Sequence, residues 1–272
     1  MSAANAPSLP DIEQVPDSER PHVREFEQDG YTIFRGVLDP ALIAEADAHV
    51  DWLLIKNPDL RPEQLHHELA QCDPFWQRLV SDDRLLDIAE QFIGPDIALF
   101  ATHYICKPPL TGQQVLWHQD GVFWPLDPMR VVSLWLAVSD SSPDNGCLRV
   151  VPGTHQRELQ QWRERTDVGN VLGAEIDADV DEQDAVDLAL APGDVSVHHP
   201  TIVHGSTANT SERWRRGLTI RYIPTSTRIT DPEASSPLLL RGQAVTGINS
   251  YLARTPYDPA RHMPFAGADA WS

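Results

Sequence analysis

From residue 97 onward the sequence consists of short apolar runs interrupted by turn residues, and this pattern restricts the possible folds more than any other feature. The runs are IALFATHYICK, QVLWHQD, RVVSLWLAV, GCLRVVPGTH, VDLALAPGD, VSVHHPTIVHG and RGLTIRYIP. Proline, glycine and Asp-Asn breaks separate them, as is typical of strands joined by turns. Many short strands of this kind predict an antiparallel β-core, either a sandwich or a barrel.

The segment that precedes this β-core is predicted to be largely helical. We expect a helix over about 21–28, ended by an Asp-Gly pair, and a strand over 31–37. Asp39 is a good N-cap, and Pro40 follows at the first helical position, where its missing N–H costs nothing. An amphipathic helix therefore begins here, and a second helical region spans roughly 75–93.

The first 20 residues are polar, acidic and rich in proline. They predict a disordered tail over 1–20, followed by a single domain over 21–272. The tail has no basic stretch followed by an apolar one, so we do not expect a secretory signal. The 3 cysteines show no CxxC pairing. A disulfide framework is therefore not expected, and the predicted location is the cytoplasm.

The charge balance restricts the class of partner. With 21 Lys+Arg against 40 Asp+Glu, the formal net charge is -19. A chain of this charge repels nucleic acid and anionic membrane surfaces. No apolar run approaches the roughly 20 residues that a membrane span needs. We therefore expect a small-molecule substrate, with neither a nucleic acid nor a membrane as partner.

Two histidines are each followed two residues later by an aspartate, and their context separates them. His118 and Asp120 lie in an apolar run that predicts a strand, where residues two apart share a face. His49 and Asp51 lie in the amphipathic helix, where residues two apart point in nearly opposite directions. We therefore predict that the first pair binds a metal ion and that the second lies on a solvated helix surface.

A mononuclear iron(II) oxygenase binds its metal through two histidines and one carboxylate, with open positions for co-substrate and oxygen. The third ligand would come from a distant strand, where the candidates are His198, His199 and His204. Because His198 and His199 alternate faces, one is expected to point outward and the other to pack beside the site. Arg215 begins the next strand, and its guanidinium is suited to the end of a dicarboxylate.

Another histidine pair lies in the polar stretch RPEQLHHELAQ (61–71). His66 and Glu68 in this stretch also have the spacing of two metal ligands. The polar context favours an ordinary surface segment, although these histidines could fold over a nearby pocket.

Taken together, these segments resemble the phytanoyl-CoA dioxygenase family of iron(II)- and 2-oxoglutarate-dependent oxygenases. The matching pieces, in order, are CKPP, WHQDGVFWP, SLWLAVSDSSPDNGCLRVVPGTH and PGDVSVHHPTIVHGSTANTSERWRRGLTIRY. The earlier FEQDGYTIFRGVL also resembles the opening of the family. The resemblance covers most of the chain, and the ordered combination is more specific than any single piece.

The resemblance implies a mainly β fold with flanking helices, a double-stranded β-helix or jelly roll of the cupin-like type. It also implies a set of site residues. The implied iron(II) ligands are His118, Asp120 and His204; Arg215 is implied to hold the far carboxylate of 2-oxoglutarate, and Lys107, Trp135 and Ser206 to contact this co-substrate.

The expected reaction consumes O₂ and 2-oxoglutarate, hydroxylates an unactivated C–H bond and releases succinate and CO₂. Because Asp120 occupies the position that related halogenases leave free for chloride, hydroxylation is favoured over halogenation. Desaturation, epoxidation and ring closure remain open, as does a non-catalytic or non-redox metal-binding jelly roll. We expect two parts of the chain to form the walls of the substrate pocket: the loop that carries Phe123 and Trp124, and the segment around Arg228.

Overall fold

Helices occupy the first part of the chain in the computed structural model, which describes residues 20–231, 233–235 and 237–271. The predicted disordered tail over 1–20 therefore lies almost entirely outside the described residues. The helices are α1 (Pro21–Asp29), α2 (Pro40–Lys56), α3 (His67–Ala70), α4 (Pro74–Val80) and α5 (Asp83–Ile93), with strand β1 (Tyr31–Phe34) between the first two. The Asp39 carboxylate accepts from the amides of Ala41 and Leu42 at 3.0 Å, which confirms the predicted N-cap.

Two predictions about the helices are wrong. The single helical region over 75–93 is two helices, because Asp82 interrupts it and accepts from the Arg84 amide to start α5. His49 is fully buried, not solvated, although Asp51 is exposed as expected. The His49 ring reaches Asp73 at 3.0 Å and the Tyr104 hydroxyl at 3.3 Å, so its polar atoms have partners inside the core.

The strands after residue 97 are short, as the sequence pattern predicts. They are β2 (Ile97–Tyr104), β3 (Val115–His118), β4 (Leu126–Asp127), β5 (Val132–Ala137), β6 (Leu148–Val150), β7 (Trp162–Glu164), β8 (Ala174–Ile176), β9 (Val186–Leu188), β10 (Val195–His198), β11 (His204–Ser206), β12 (Gly217–Pro224), β13 (Arg228–Ile229) and β14 (Leu238–Arg241).

Two antiparallel sheets form the β-core and confirm the predicted jelly roll. The larger has six strands in the order β1-β10-β5-β12-β2-β14, and the smaller has four in the order β3-β11-β6-β9. Since side chains alternate along a strand, the larger sheet has two faces of different character. On β12, Leu218, Ile220 and Tyr222 pack in the main hydrophobic cluster with the helices. Thr219 and Arg221 face the other way and line a pocket together with residues of the smaller sheet.

Two further expectations can be compared with the described residues. Cys72, Cys106 and Cys147 are all free thiols, in agreement with the predicted lack of a disulfide framework. Within the described ranges, no helix combines the length and the apolar character that a membrane crossing requires.

Candidate metal and co-substrate site

Two paired strands bring the predicted metal ligands together. His118 ends β3 and His204 begins β11, and these residues are direct partners in the antiparallel pair of strands. Asp120 follows in a short 3₁₀ turn over 120–123. The Nε2 atom of His118 lies 3.5 Å from Asp120 Oδ1, and that of His204 lies 4.0 Å from Asp120 Oδ2. One ligand atom from each residue falls within 4.8 Å of the others, so a single ion can contact all three.

Backbone carbonyls orient both histidine rings for metal binding. The Nδ1 of His118 lies 2.9 Å from the Leu116 carbonyl oxygen, and that of His204 lies 3.0 Å from the Ile202 carbonyl oxygen. A carbonyl can only accept, so each Nδ1 carries the proton and each Nε2 presents a lone pair. Burial holds the pKa of His204 well below its ordinary value, and the neighbouring His118 lowers it further. Its ring is therefore neutral, as a metal ligand must be.

The third ligand is buried but remains ionised. Burial alone would raise the pKa of Asp120, yet Arg221, with His118 and His198, holds it well below the usual range. The Arg221 guanidinium lies 3.4 Å from Asp120 Oδ2, and His198 Nε2 lies 3.8 Å from the same oxygen. Two imidazole nitrogens and one carboxylate oxygen on one side of a pocket fit the facial triad of a mononuclear iron(II) site.

The predicted co-substrate residues line or border the same pocket. Arg215 is only 2% exposed, and its Nε and Nη2 have no hydrogen-bond partner among the described residues. Its guanidinium lies 5.2 Å from the centroid of the Trp135 ring. Gly217 allows this arrangement, because a Cβ there would overlap the Trp135 ring. A buried cation with unpaired donors fits the carboxylate of a dianionic ligand.

Lys107 and Ser206 form a hydrogen-bonded pair at this end of the pocket. The Nζ of Lys107 donates to Ser206 Oγ at 2.6 Å and to the Thr207 carbonyl at 2.5 Å. Burial first, and then Arg215, lowers the pKa of Lys107 well below its ordinary value. Ser206 lines the pocket itself, whereas Lys107 lies behind it and fixes the position of the hydroxyl.

The three residues predicted to contact substrate lie outside this pocket. Phe123 is 40% exposed and packs against Trp162. Trp124 packs edge-on against Phe100, and the Arg221 guanidinium lies 5.2 Å from the centroid of its ring. Arg228 borders a second cavity of about 680 Å³ formed with residues 247–252, in which it donates to two backbone carbonyls.

Among the titratable side chains of the pocket, His103 and Arg221 were not assigned to the site from the sequence, and His198 was named only as a candidate ligand or a neighbour of the site. Alternation along RRGLTIRY would have found Arg221, because residues 215, 219 and 221 point to the same side of a strand. His198 is the inward member of the histidine pair, and His199 packs beside Phe26 instead. His103 on β2 is paired with Thr219, which only the register of the sheet reveals.

Comparison with known proteins agrees with this geometry. The family model described as phytanoyl-CoA dioxygenase (PhyH) matches residues 26–217, which include all three metal-ligand candidates and Arg215. The chain belongs to the phytanoyl-CoA dioxygenase family. Within this family, the peroxisomal phytanoyl-CoA dioxygenase of Bos taurus is 33% identical over 162 residues, which are 56% of this chain and 47% of that protein. The chain spans about half to three fifths of the length of such curated relatives.

Solved structures with the same fold include enzymes of differing reaction type. The apo form of the non-heme monooxygenase ThoJ is 28% identical, with a TM-score of 0.73 over 85% of this chain and 87% of its own. The carbocyclase SnoK of nogalamycin biosynthesis is 23% identical, with a TM-score of 0.62 over 76% of this chain and 85% of its own. The likeness to SnoK shows the jelly-roll fold alone.

Proposed function

We propose that this member of the phytanoyl-CoA dioxygenase family is an iron(II)- and 2-oxoglutarate-dependent oxygenase acting on a small-molecule substrate. The observation that carries the proposal is Arg215, a buried cation with two unpaired donor atoms in the same pocket as the metal-binding triad. An unpaired buried charge is costly, and a dianion that binds both the metal and Arg215 removes that cost.

The ligand set fits iron(II) for reasons of chemistry as well as geometry. His118 and His204 present neutral Nε2 atoms, and Asp120 presents an ionised carboxylate. Iron(II) held by these three residues would keep open positions for co-substrate and O₂. Iron bound with 2-oxoglutarate and O₂ supplies the oxidant for an unactivated C–H bond, with succinate and CO₂ as co-products.

The chain's own residues orient the co-substrate and exclude water. Arg215 binds the far carboxylate of 2-oxoglutarate, and the Trp135 ring beneath its guanidinium fixes the plane of that contact. The Ser206 hydroxyl, held by Lys107, contacts the same end. Apolar side chains of the pocket, among them Val115 and Leu148, keep this end dry.

We further propose hydroxylation as the outcome, because Asp120 fills the coordination position that chloride would need in halogenation. Mass spectrometry of the product tests this directly. Gain of one oxygen atom supports hydroxylation or epoxidation, and loss of two hydrogen atoms indicates desaturation or ring closure instead.

The test of the function as a whole is an anaerobic titration with Fe(II) and 2-oxoglutarate, followed by exposure to O₂ with a panel of substrates. The expected results are the weak visible band of the iron–2-oxoglutarate chelate and release of succinate. His118→Ala, Asp120→Ala and His204→Ala should each lose both signals and keep the fold. If metal analysis finds tightly held zinc and neither signal appears, the site has non-redox chemistry; binding of metal and 2-oxoglutarate without succinate release for any substrate indicates a binding protein.

A further inference from the structure

Arg221 has fewer hydrogen-bond partners than a buried arginine usually has. Its side chain is 13% exposed, and its Nε has no partner among the described residues. Nη1 donates to Thr219 Oγ1 at 3.0 Å, and Nη2 reaches Asp120 only at 3.4 Å. The Nε of Arg216 also has no partner among the described residues, but its Nη atoms form ion pairs with Asp51 at 2.6 Å and Asp47 at 2.9 Å. Arg221 therefore retains N–H groups that can donate to a ligand in the pocket.

The charges of the pocket lining lead to the same conclusion. Its charged residues are Arg215, Arg221 and Asp120, which leaves one uncompensated positive charge in a chain whose net charge is -19. If the proposed function holds, the divalent metal and the dianionic 2-oxoglutarate cancel one another. The metal also draws on the charge of Asp120, the carboxylate that pairs with Arg221 among the described residues, so the compensation of the Arg221 charge is weakened. An anionic group on the substrate would compensate this positive charge.

The position of Arg221 separates it from the co-substrate. Arg215 and Arg221 point to the same side of one extended segment, with Thr219 between them. Six residues of extended chain place their Cα atoms about 20 Å apart. Beyond Arg221 the same face of the larger sheet continues into an apolar cluster with Phe100 and Trp124. The two cations therefore lie toward opposite ends of the pocket, Arg215 over the Trp135 ring and Arg221 over the Trp124 ring.

We propose, on the basis of the proposed function, that the substrate carries an anionic group, a carboxylate or a phosphate, which binds Arg221 on the side of the metal away from Arg215. Trp124 forms the wall beneath the guanidinium. His103 lies beside it and is neutral, because burial and then Arg221 lower its pKa to about 3. Arg221 is thus the one positively charged side chain among the pocket-lining residues at this end.

The experiment uses the full chain loaded with Ni(II), which does not turn over, and with saturating 2-oxoglutarate, which keeps Arg215 occupied. Calorimetry then measures the binding of benzoate, phenyl phosphate and the neutral analogue benzamide. The variants are Arg221→Gln, which removes the charge, Arg221→Lys, which keeps it, and Arg213→Gln, a control at an exposed ion pair. The affinity for Ni(II) and for 2-oxoglutarate is measured for every variant.

We expect at least one anion to bind the wild type at least about ten-fold more tightly than benzamide, as one charge-assisted hydrogen bond implies. Arg221→Gln should lose about ten-fold or more of that affinity, Arg221→Lys should retain most of it, and Arg213→Gln should match the wild type. The preferred anion identifies the substrate as a carboxylate or a phosphate.

Three results would overturn the proposal. Neither anion binds the wild type, or Arg221→Gln binds the anion as well as the wild type does. The third is that Arg221→Gln loses as much affinity for Ni(II) as it loses for the anion. The last would mean that Arg221 only positions Asp120. Failure of the wild type to bind Ni(II) and 2-oxoglutarate appears before any anion is added, and it refutes the proposed function itself.

Discussion

Replacing Arg215 by methionine should abolish recognition of 2-oxoglutarate without harming the fold. Methionine approximates the length of the arginine stem and removes a cation that is only 2% exposed. Burial lowers the pKa of Arg215 to about 10, so the guanidinium is charged at neutral pH. Without a bound anion this charge lacks compensation, and its removal should leave the stability of the unliganded protein unchanged or raise it.

The magnitude follows from the two unpaired donor atoms. Nε and Nη2 can each form a charge-assisted hydrogen bond, worth about 1.5–3 kcal/mol. Loss of about 3 kcal/mol weakens binding roughly a hundredfold or more. At a ligand concentration of about 100 times the wild-type Kd, the stabilisation by 2-oxoglutarate falls from about 2.7 to about 0.4 kcal/mol. For a domain of this size, a shift in Tm of about 5–10 °C would shrink to about 1 °C.

The assay is thermal unfolding of the Ni(II)-loaded protein with and without 2-oxoglutarate. Arg213→Met is the matched control, because Arg213 is two residues away but forms an exposed ion pair with Asp144. The control should keep the full shift produced by 2-oxoglutarate. An undiminished shift in Arg215→Met, or a large fall in its unliganded Tm, would refute the reasoning from the unpaired donors.

Five other substitutions, grouped in three tests, probe separate parts of the structure. His204→Ala should abolish Ni(II) binding measured by calorimetry, whereas His198→Ala should retain it, because only the first histidine belongs to the triad; equal losses would contradict this ligand set. His49→Ala should lower the free energy of unfolding in urea by about 3 kcal/mol, since it leaves the buried Asp73 Oδ2 without a partner while Oδ1 keeps the Trp76 amide; a loss below about 1 kcal/mol would contradict that role. Trp124→Ala should uncouple 2-oxoglutarate consumption from substrate oxidation, and Phe123→Ala should leave the coupling unchanged. The reverse result would mean that Phe123, the more exposed ring, forms the wall of the substrate pocket.

The sequence predicts well the parts of the site that depend on spacing along the chain. The spacing of two residues between His118 and Asp120 pointed to a shared site, although Asp120 lies in the 3₁₀ turn that follows β3 and not on the strand itself. The choice of His204 over His198 needed the resemblance to a family, since both lie in the same short segment. The antiparallel β-core could be predicted because each strand carries its own apolar and turn residues, whereas the jelly roll itself was implied by the resemblance to the family.

Features that depend on distant pairing could not be predicted. The partner of His49 is Asp73, 24 residues away, and helical periodicity alone gives no sign that α4 covers this side of α2. By contrast, Arg221 could have been predicted, because it lies six residues from Arg215 and alternation places both on the same side of an extended segment. Trp124 contacts the pocket only through Arg221, an arrangement that depends on how the loop folds over the sheet.

Strand β12 sets the spacing between Arg215 and Arg221, the two residues proposed to bind the co-substrate and the substrate. It pairs with β2 on one side and β5 on the other along nearly its whole length, so it cannot slide between states. A slip of one residue would turn every side chain to the opposite face. The distance between the Cα atoms of Arg215 and Arg221 is therefore fixed by the sheet. Under the proposed function, substrates of different size would have to differ in the part that extends past Arg221, toward the apolar cluster with Phe100 and Trp124.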